Sequence, residues 1–326
     1  MTDHERPIVA VLGATADAPP PGIEVALDLA DVRYAGNPDE VAAAIGEADA
    51  IFSWGARRSW LEDTFAEAGR LRWIQSASDG VDGLLFPALA ASDVIVTNAR
   101  GIFDDPIAEW AIAAIVAFTT GLHTSVVDQT HGRWTEGRRR DRVAGQHLVV
   151  VGPGPIGSAT ATRARALGMT VEGVGRTQRA DEVLGEVAGP DGFHEALGRA
   201  DHVLDALPLT PATRAMFDAK AFDAMRPTAH FVNIGRGATV DEDALVDAIG
   251  SGAIAGASLD VFVEEPLAAD SPLWSMPTVA VSPHISGDLH DWEEAVVGVF
   301  VDNLRRFVAG EALRNPVDTE AGFGVG

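Results

Sequence analysis

The 326-residue chain contains no cysteine, which excludes disulfide staples, thiolate nucleophiles and cysteine-ligated metals. Redox chemistry would have to come from a bound cofactor, and no metal site is expected. Lysine is almost as scarce, with Lys220 the single one. Positive charge as a whole is outnumbered: 24 Lys and Arg face 48 Asp and Glu, for a formal net charge of −24. Such a field repels phosphate backbones and anionic lipid. Nucleic acid and membrane surfaces are therefore poor partners, and an anionic small substrate would need a local arginine. Long apolar runs are missing too. The longest, residues 110–118, is far below the ~20 residues of a membrane span. The polar start, residues 1–6, passes straight into the short run Ile8 to Leu12 with no signal-peptide core, so a cytoplasmic location is expected.

What is present is ample apolar material, 47% of the chain, over a length that exceeds the ~150 residues of one typical domain. Short apolar runs alternate with alanine-rich amphipathic stretches: residues 8–12, 39–46, 50–54, 61–69 and 73–75. A second series repeats the grammar more clearly, with strand patterns at 147–151, 170–174, 202–206, 230–234, 256–260 and 278–281. Helix patterns at 156–167, 193–199, 220–225 and 241–251 separate them. Alternation of this kind predicts βαβ units, an α/β fold of doubly wound parallel sheets in two domains. Between the series lies the longest predicted helix, from Pro106 to about His131, opened by Asp104-Asp105-Pro106. Acidic residues there suit the positive end of the helix dipole, and proline suits its first turn. This helix is expected to bridge the domains.

The run His147 to Val151 is followed at once by Gly152-Pro153-Gly154-Pro155-Ile156-Gly157. A strand, then Gly-x-Gly-x-x-Gly, then a helix is the order a dinucleotide requires. Gly152 permits the tight turn, Gly154 lets backbone approach the pyrophosphate, and Gly157 allows the helix to pack closely. The helix start supplies amide donors from Gly154, Ile156 and Gly157, whereas Pro155 has no N–H to offer.

The second strand decides between the nicotinamide cofactors. An acid at its tip would accept from the ribose 2′-OH of NAD. Here the strand runs into Gly175-Arg176-Thr177, and Glu172 lies mid-strand. An arginine, with Thr177 and Arg179 as further donors, suits a 2′-phosphate. NADP is favoured and NAD stays open; the competing reading of Arg176 is a solvated loop charge.

Three segments at later strand ends carry groups suited to reducing a 2-keto acid: Asn233 to Gly237, Leu259 to Leu267, and Ser282 to Gly287. Arg236 can clamp a substrate carboxylate with its guanidinium fork. His284 can protonate the carbonyl oxygen as hydride reaches carbon, and a nearby carboxylate orients the imidazole and favours its charged form.

These segments, with the glycine loop and the weaker marks Asn98-Ala-Arg-Gly101 and Ala108-Glu109-Trp110, resemble the D-isomer-specific 2-hydroxyacid dehydrogenases over nearly the whole chain. The resemblance implies a Rossmann cofactor domain over residues 99–287. It also implies a flavodoxin-like substrate domain over 1–98 and 288–326. The catalytic set becomes Arg236, Glu265 and His284, with Glu265 chosen over Glu264 because the family's glutamate directly precedes proline. It further implies that Asp260 accepts from the nicotinamide carboxamide and that Leu207, Pro208, Ile234, Gly235 and Gly287 line the cofactor. Asp79, Gly80 and Val81 would face the substrate carboxylate, Asp79 being a departure from the family's usual uncharged residue. Trp54, Leu84, Phe86, His290 and Trp292 are candidates for substrate choice. A homodimer through the long helix and the arm with Trp134 and Arg138-Arg139-Arg140 is implied as well. Two alternatives stay open: a phosphite dehydrogenase-like enzyme and a nucleotide-sensing corepressor.

Overall fold

The computed structural model describes residues 6–137 and 140–324; Arg138 and Arg139 of the arginine run lie outside the described residues. The chain divides into two compact units, Met1–Phe103 with Leu289–Gly326, and Asp104–Asp288. The predicted interdomain helix belongs wholly to the second unit.

In the first unit five strands, β1 (Ile8–Leu12), β2 (Asp31–Ala35), β3 (Ala50–Ser53), β4 (Trp73–Ser76) and β5 (Ile95–Thr97), form one parallel sheet in the order 2-1-3-4-5. That is the flavodoxin-like order. Alternate residues of β1 serve opposite faces: Ala10 and Leu12 pack with Val41 and Ile45 of the Pro38–Ile45 helix, whereas Val9 and Val11 pack with the helix Trp292–Ala309. Phe300 of that last helix stacks on Phe52 with ring centroids 4.3 Å apart. Each such buried ring stabilises the layer by roughly 1.5–3 kcal/mol.

The second unit holds β6 (His147–Val151), β7 (Thr170–Val174), β8 (Arg179–Asp181), β9 (Gly185–Ala188), β10 (His202–Asp205), β11 (His230–Asn233), β12 (Gly256–Leu259) and β13 (Val279–Val281). Their order is 13-12-11-10-6-7-9-8, parallel except for the β8–β9 hairpin. Reading outward from β6, strands β9-β7-β6-β10-β11-β12 follow the dinucleotide-binding order, with β8 and β13 added at the two edges, and the order reverses between β6 and β10. Valines of β6 alternate between two cores, Val149 and Val151 with Phe217 and Phe231, Leu148 and Val150 with Ala111, Ile115 and Ala161. Burial on both faces explains why the run is continuously apolar.

Three expectations need correcting. The long helix ends at Thr120 and a second runs from Leu122 to Thr130, the two bent by 75° about Gly121, which adopts a left-handed φ of 67°. A side chain with a β-carbon rarely adopts that φ, so the glycine ends the helix despite the continuing apolar pattern. The span 61–69 holds only the end of a short helix, Arg58–Glu62, and one 3₁₀ turn, Phe65–Glu67. The hairpin β8–β9 falls where no strand is expected. Among the described residues no single helix is long and apolar enough to cross a membrane.

Candidate active site

Reversal of strand order opens a crevice at the carboxyl ends of β6 and β10, and the glycine loop lies there. Gly152 has φ 96°, and a β-carbon on it would come within 2.5 Å of the Ala206 carbonyl. Only glycine lets the turn after β6 rest on the turn after β10. Gly154 is the N-cap of the helix Pro155–Ala166, and a β-carbon there would meet nothing within 4 Å, so the space above the helix start is open. Pro155 occupies the first turn, where its missing N–H has no intrahelical partner in any case. Backbone donors at a positive helix end beside open space fit a pyrophosphate.

At the tip of β7, Arg176 and Thr177 are exposed. Glu172 is committed elsewhere, paired with Arg199 at 3.0 Å and His147 at 3.1 Å. Arg179 opens the hairpin strand β8, exposed and with Nη2 3.5 Å from Asp181.

Past β11, the Asn233 side chain accepts from the Gly235 N–H at 3.0 Å and turns the chain sharply. Arg236 follows, its Nη1 donating to the Gly235 carbonyl at 2.8 Å. Gly237 then lies against the backbone of Phe262 and Val263: a β-carbon there would sit 1.8 Å from the Phe262 carbonyl carbon. This contact seats the Arg236 turn directly on the segment that carries Glu265. Ile234 and Gly235 are buried, and at the neighbouring tip of β10 Leu207 is half-buried and Pro208 exposed.

Glu265 has both oxygens occupied. Oε1 accepts from the Phe262 N–H at 3.0 Å, and Oε2 meets His284 Nδ1 at 2.8 Å. The adjacent Glu264 is exposed. With Nδ1–H donating to a carboxylate, Nε2 is left as the nitrogen that exchanges a proton with a reactant. The imidazole and the carboxylate keep 48% and 36% of their side-chain surface exposed, so a small molecule can reach them.

His284 takes a left-handed φ of 56°, which costs a non-glycine residue of order 1–3 kcal/mol. Asp260 holds the turn in that shape. Its Oδ1 accepts from the Ile285 N–H at 3.0 Å and from the Ser282 hydroxyl, and its Oδ2 accepts from the Ser286 N–H at 2.9 Å. Fully buried with three donors, Asp260 builds the histidine turn from beneath; its oxygens are not aimed at open space, where a carboxamide would lie. Gly287 ends the same turn, half-buried.

In the first unit the loop after β4 carries Asp79, Gly80 and Val81. The Asp79 carboxylate receives Asn98 Nδ2 at 3.1 Å, and Val81 is 2% exposed, which leaves backbone as the part of Val81 able to meet a substrate. Leu84 and Phe86 are core residues, a correction to their place among specificity candidates. Trp54 and Trp292 remain half-buried and stack at 5.7 Å, and His290 is exposed. Sequence reasoning missed Asp205 and Thr239, both completely buried at the ends of β10 and of the Arg236 turn. The available signal was a carboxylate closing the otherwise apolar strand after His202.

Comparison with known proteins follows the same lines. Residues 112–286 match the model of the D-isomer specific 2-hydroxyacid dehydrogenase, NAD binding domain. Glyoxylate/hydroxypyruvate reductase B of Pectobacterium carotovorum is 32% identical over 282 residues, 85% of this chain and 88% of that one. The chloroplastic D-3-phosphoglycerate dehydrogenase 2 of Arabidopsis thaliana is 30% identical over 88% of this chain, which spans only 46% of that longer protein. The structure of NADPH-dependent glyoxylate/hydroxypyruvate reductase from Sinorhizobium meliloti, solved with NADP and sulfate, superposes with a TM-score of 0.83 at 26% identity. It covers 98% of this chain and all of its own. The chain belongs to the D-isomer-specific 2-hydroxyacid dehydrogenase family.

Proposed function

We propose that this protein is an NADP-preferring reductase of small 2-keto acids such as glyoxylate or hydroxypyruvate, yielding D-2-hydroxy acids. The second unit serves as the cofactor domain and the first as the substrate domain. Bound NADPH supplies the hydride. Arg236 holds the substrate carboxylate and thereby fixes the carbonyl carbon for attack. His284 gives its Nε2 proton to the carbonyl oxygen, so two electrons arrive as hydride and the proton comes from imidazolium. Glu265 orients the ring and balances its charge. In oxidation the same nitrogen takes the proton back.

The observation that carries this reading is the 2.8 Å contact between His284 and Glu265, built on the segment that Gly237 joins to Arg236. Exposed Arg176 beyond β7, with Glu172 turned to Arg199 and His147, supports NADP. The enzyme belongs in the cytoplasm, where free reduced nicotinamide is available. It acts as a homodimer through the Leu122–Thr130 helix, whose Leu122 and Val126 are more than half exposed, and Trp134, 90% exposed; such apolar surface favours a partner. A panel of 2-keto acids assayed with NADPH and NADH tests the proposal. Absence of turnover on every 2-keto acid despite cofactor binding would move the chain to a sensing role, and a strong NADH preference would remove the NADP assignment.

A further inference from the structure

Asp205 closes β10 with no solvent access. Its Oδ1 accepts from the Leu207 N–H at 3.0 Å, and a β-carbon on Gly235 would meet the same oxygen at 3.3 Å. Its Oδ2 lies within hydrogen-bond distance of the Thr239 hydroxyl, which also sits 2.6 Å from the Arg236 carbonyl oxygen. The two contacts cannot both be made by threonine. A hydroxyl carries one proton, and two oxygens this close without a proton between them repel. Serving a carboxylate and a carbonyl at once therefore requires a second proton, and of the two partners only the Asp205 carboxyl can bring it.

We propose that Asp205, as a neutral acid, donates to Thr239, which donates to the Arg236 carbonyl, making Asp205 a positioning residue for the substrate-binding arginine. Burial independently pushes its pKa up to about 7, opposed by the Thr239 and Leu207 hydrogen bonds. Neighbouring segments hold few other charges. Val151 of β6 and Asn233 of β11 flank it in the sheet. His147, His202 and His230 lie at the far ends of their strands, Arg163 and Arg165 in the last turn of the helix over the crevice, and Asp241 caps the next helix. When Asp205 ionises, its carboxylate recaptures the threonine proton, and the Arg236 carbonyl keeps only the Thr239 N–H at 3.1 Å and the Asn233 amide at 3.4 Å, so the arginine turn loosens. Substrate carboxylate binding then weakens as pH rises through neutrality.

This rests on Arg236 holding the substrate carboxylate, so the test separates the two ideas. Oxamate, a non-reducible analogue, is titrated into the enzyme–NADPH complex between pH 5.5 and 8.5 by cofactor fluorescence. Wild type should lose about tenfold in affinity across neutrality, the worth of one hydrogen bond. Asp205→Asn, whose amide donates at every pH, should bind tightly throughout, whereas Thr239→Val should bind weakly throughout. His284 and Glu265 are unchanged in all three proteins, so the difference between the profiles isolates Asp205 and Thr239. In wild type an infrared band of a protonated carboxyl should fade across neutrality and be missing from Asp205→Asn, or shifted in Thr239→Val should the first variant not fold. A flat wild-type profile, an unchanged profile in Asp205→Asn, or no such band overturns the proposal. If Arg236→Ala binds oxamate as wild type does, the carboxylate assignment falls instead, and the infrared result stands by itself.

Discussion

Asp260 grips the turn that carries His284, accepting from the backbone of Ile285 and Ser286 at 3.0 and 2.9 Å immediately after the histidine. Asp260→Asn replaces an acceptor with a donor that faces one of those N–H groups. A buried donor left unsatisfied costs about 1–3 kcal/mol, so the melting temperature should fall. Because the histidine φ depends on this grip, kcat should drop by about 100-fold, as expected for loss of a positioned general acid. Wild-type kcat in the variant would show that the turn holds its shape without Asp260.

Two glycines should respond in opposite ways to alanine. Gly237→Ala puts a methyl onto the Phe262 carbonyl carbon, so the Arg236 turn must lift; both stability and kcat/KM should fall. Gly154→Ala meets no atom within 4 Å and keeps an ordinary backbone angle. Its thermal stability should stay near wild type while cofactor affinity weakens, because the methyl enters the space assigned to pyrophosphate. Calorimetry and cofactor titration on the pair check both.

Arg176→Asp should reverse cofactor choice. A charge-assisted hydrogen bond contributes about 1.5–3 kcal/mol, so kcat/KM with NADPH should fall by about 10- to 100-fold while that with NADH holds or rises. Equal losses with both cofactors would mean that Arg176 supports the loop rather than the 2′-phosphate.

At the amino ends of the strands, His202 and His230 meet through their Nδ1 atoms at 3.2 Å, with Gln146 and Ser258 on the outer nitrogens at 2.9 and 3.0 Å. Gln146 Oε1 can only accept, so His202 carries its proton on Nε2, and His230 donates from Nδ1. Both rings are neutral: burial lowers the His202 pKa to about 4 and drives that of His230 down as well. Between pH 6.5 and 4 the unfolded chain binds a proton that the folded chain refuses, so stability falls with falling pH in that window. For His202 alone the loss is of order 3 kcal/mol. Urea denaturation at pH 7, 5.5 and 4.5 should show the decline, and His202→Gln should reduce it.

Legibility of the sequence followed burial. Strands β6, β10, β11 and β12 are covered on both faces and read as apolar runs. Edge strand β2, Asp31-Val-Arg-Tyr-Ala35, carries charges that break the pattern, with Arg33 reaching Asp31 and Glu47. Arg236, Glu265 and His284 were visible because each residue type announces a chemistry. Asp205 and Thr239 were not, since 34 positions separate them and only the adjacency of β10 and β11 joins their strand ends. Gly121 was visible as a glycine, but only its φ shows that it breaks the helix.

The tips of β6 and β10 meet backbone to backbone through Gly152 on Ala206, and those of β11 and β12 through Gly237 on Phe262, and a contact of that kind has no side chain to trade. Arg176 stands apart from it, exposed on the far side of the crevice. Descendants of this chain could therefore change their electron donor by a single-codon substitution, whereas altering the reacting centre would require several coordinated replacements at once.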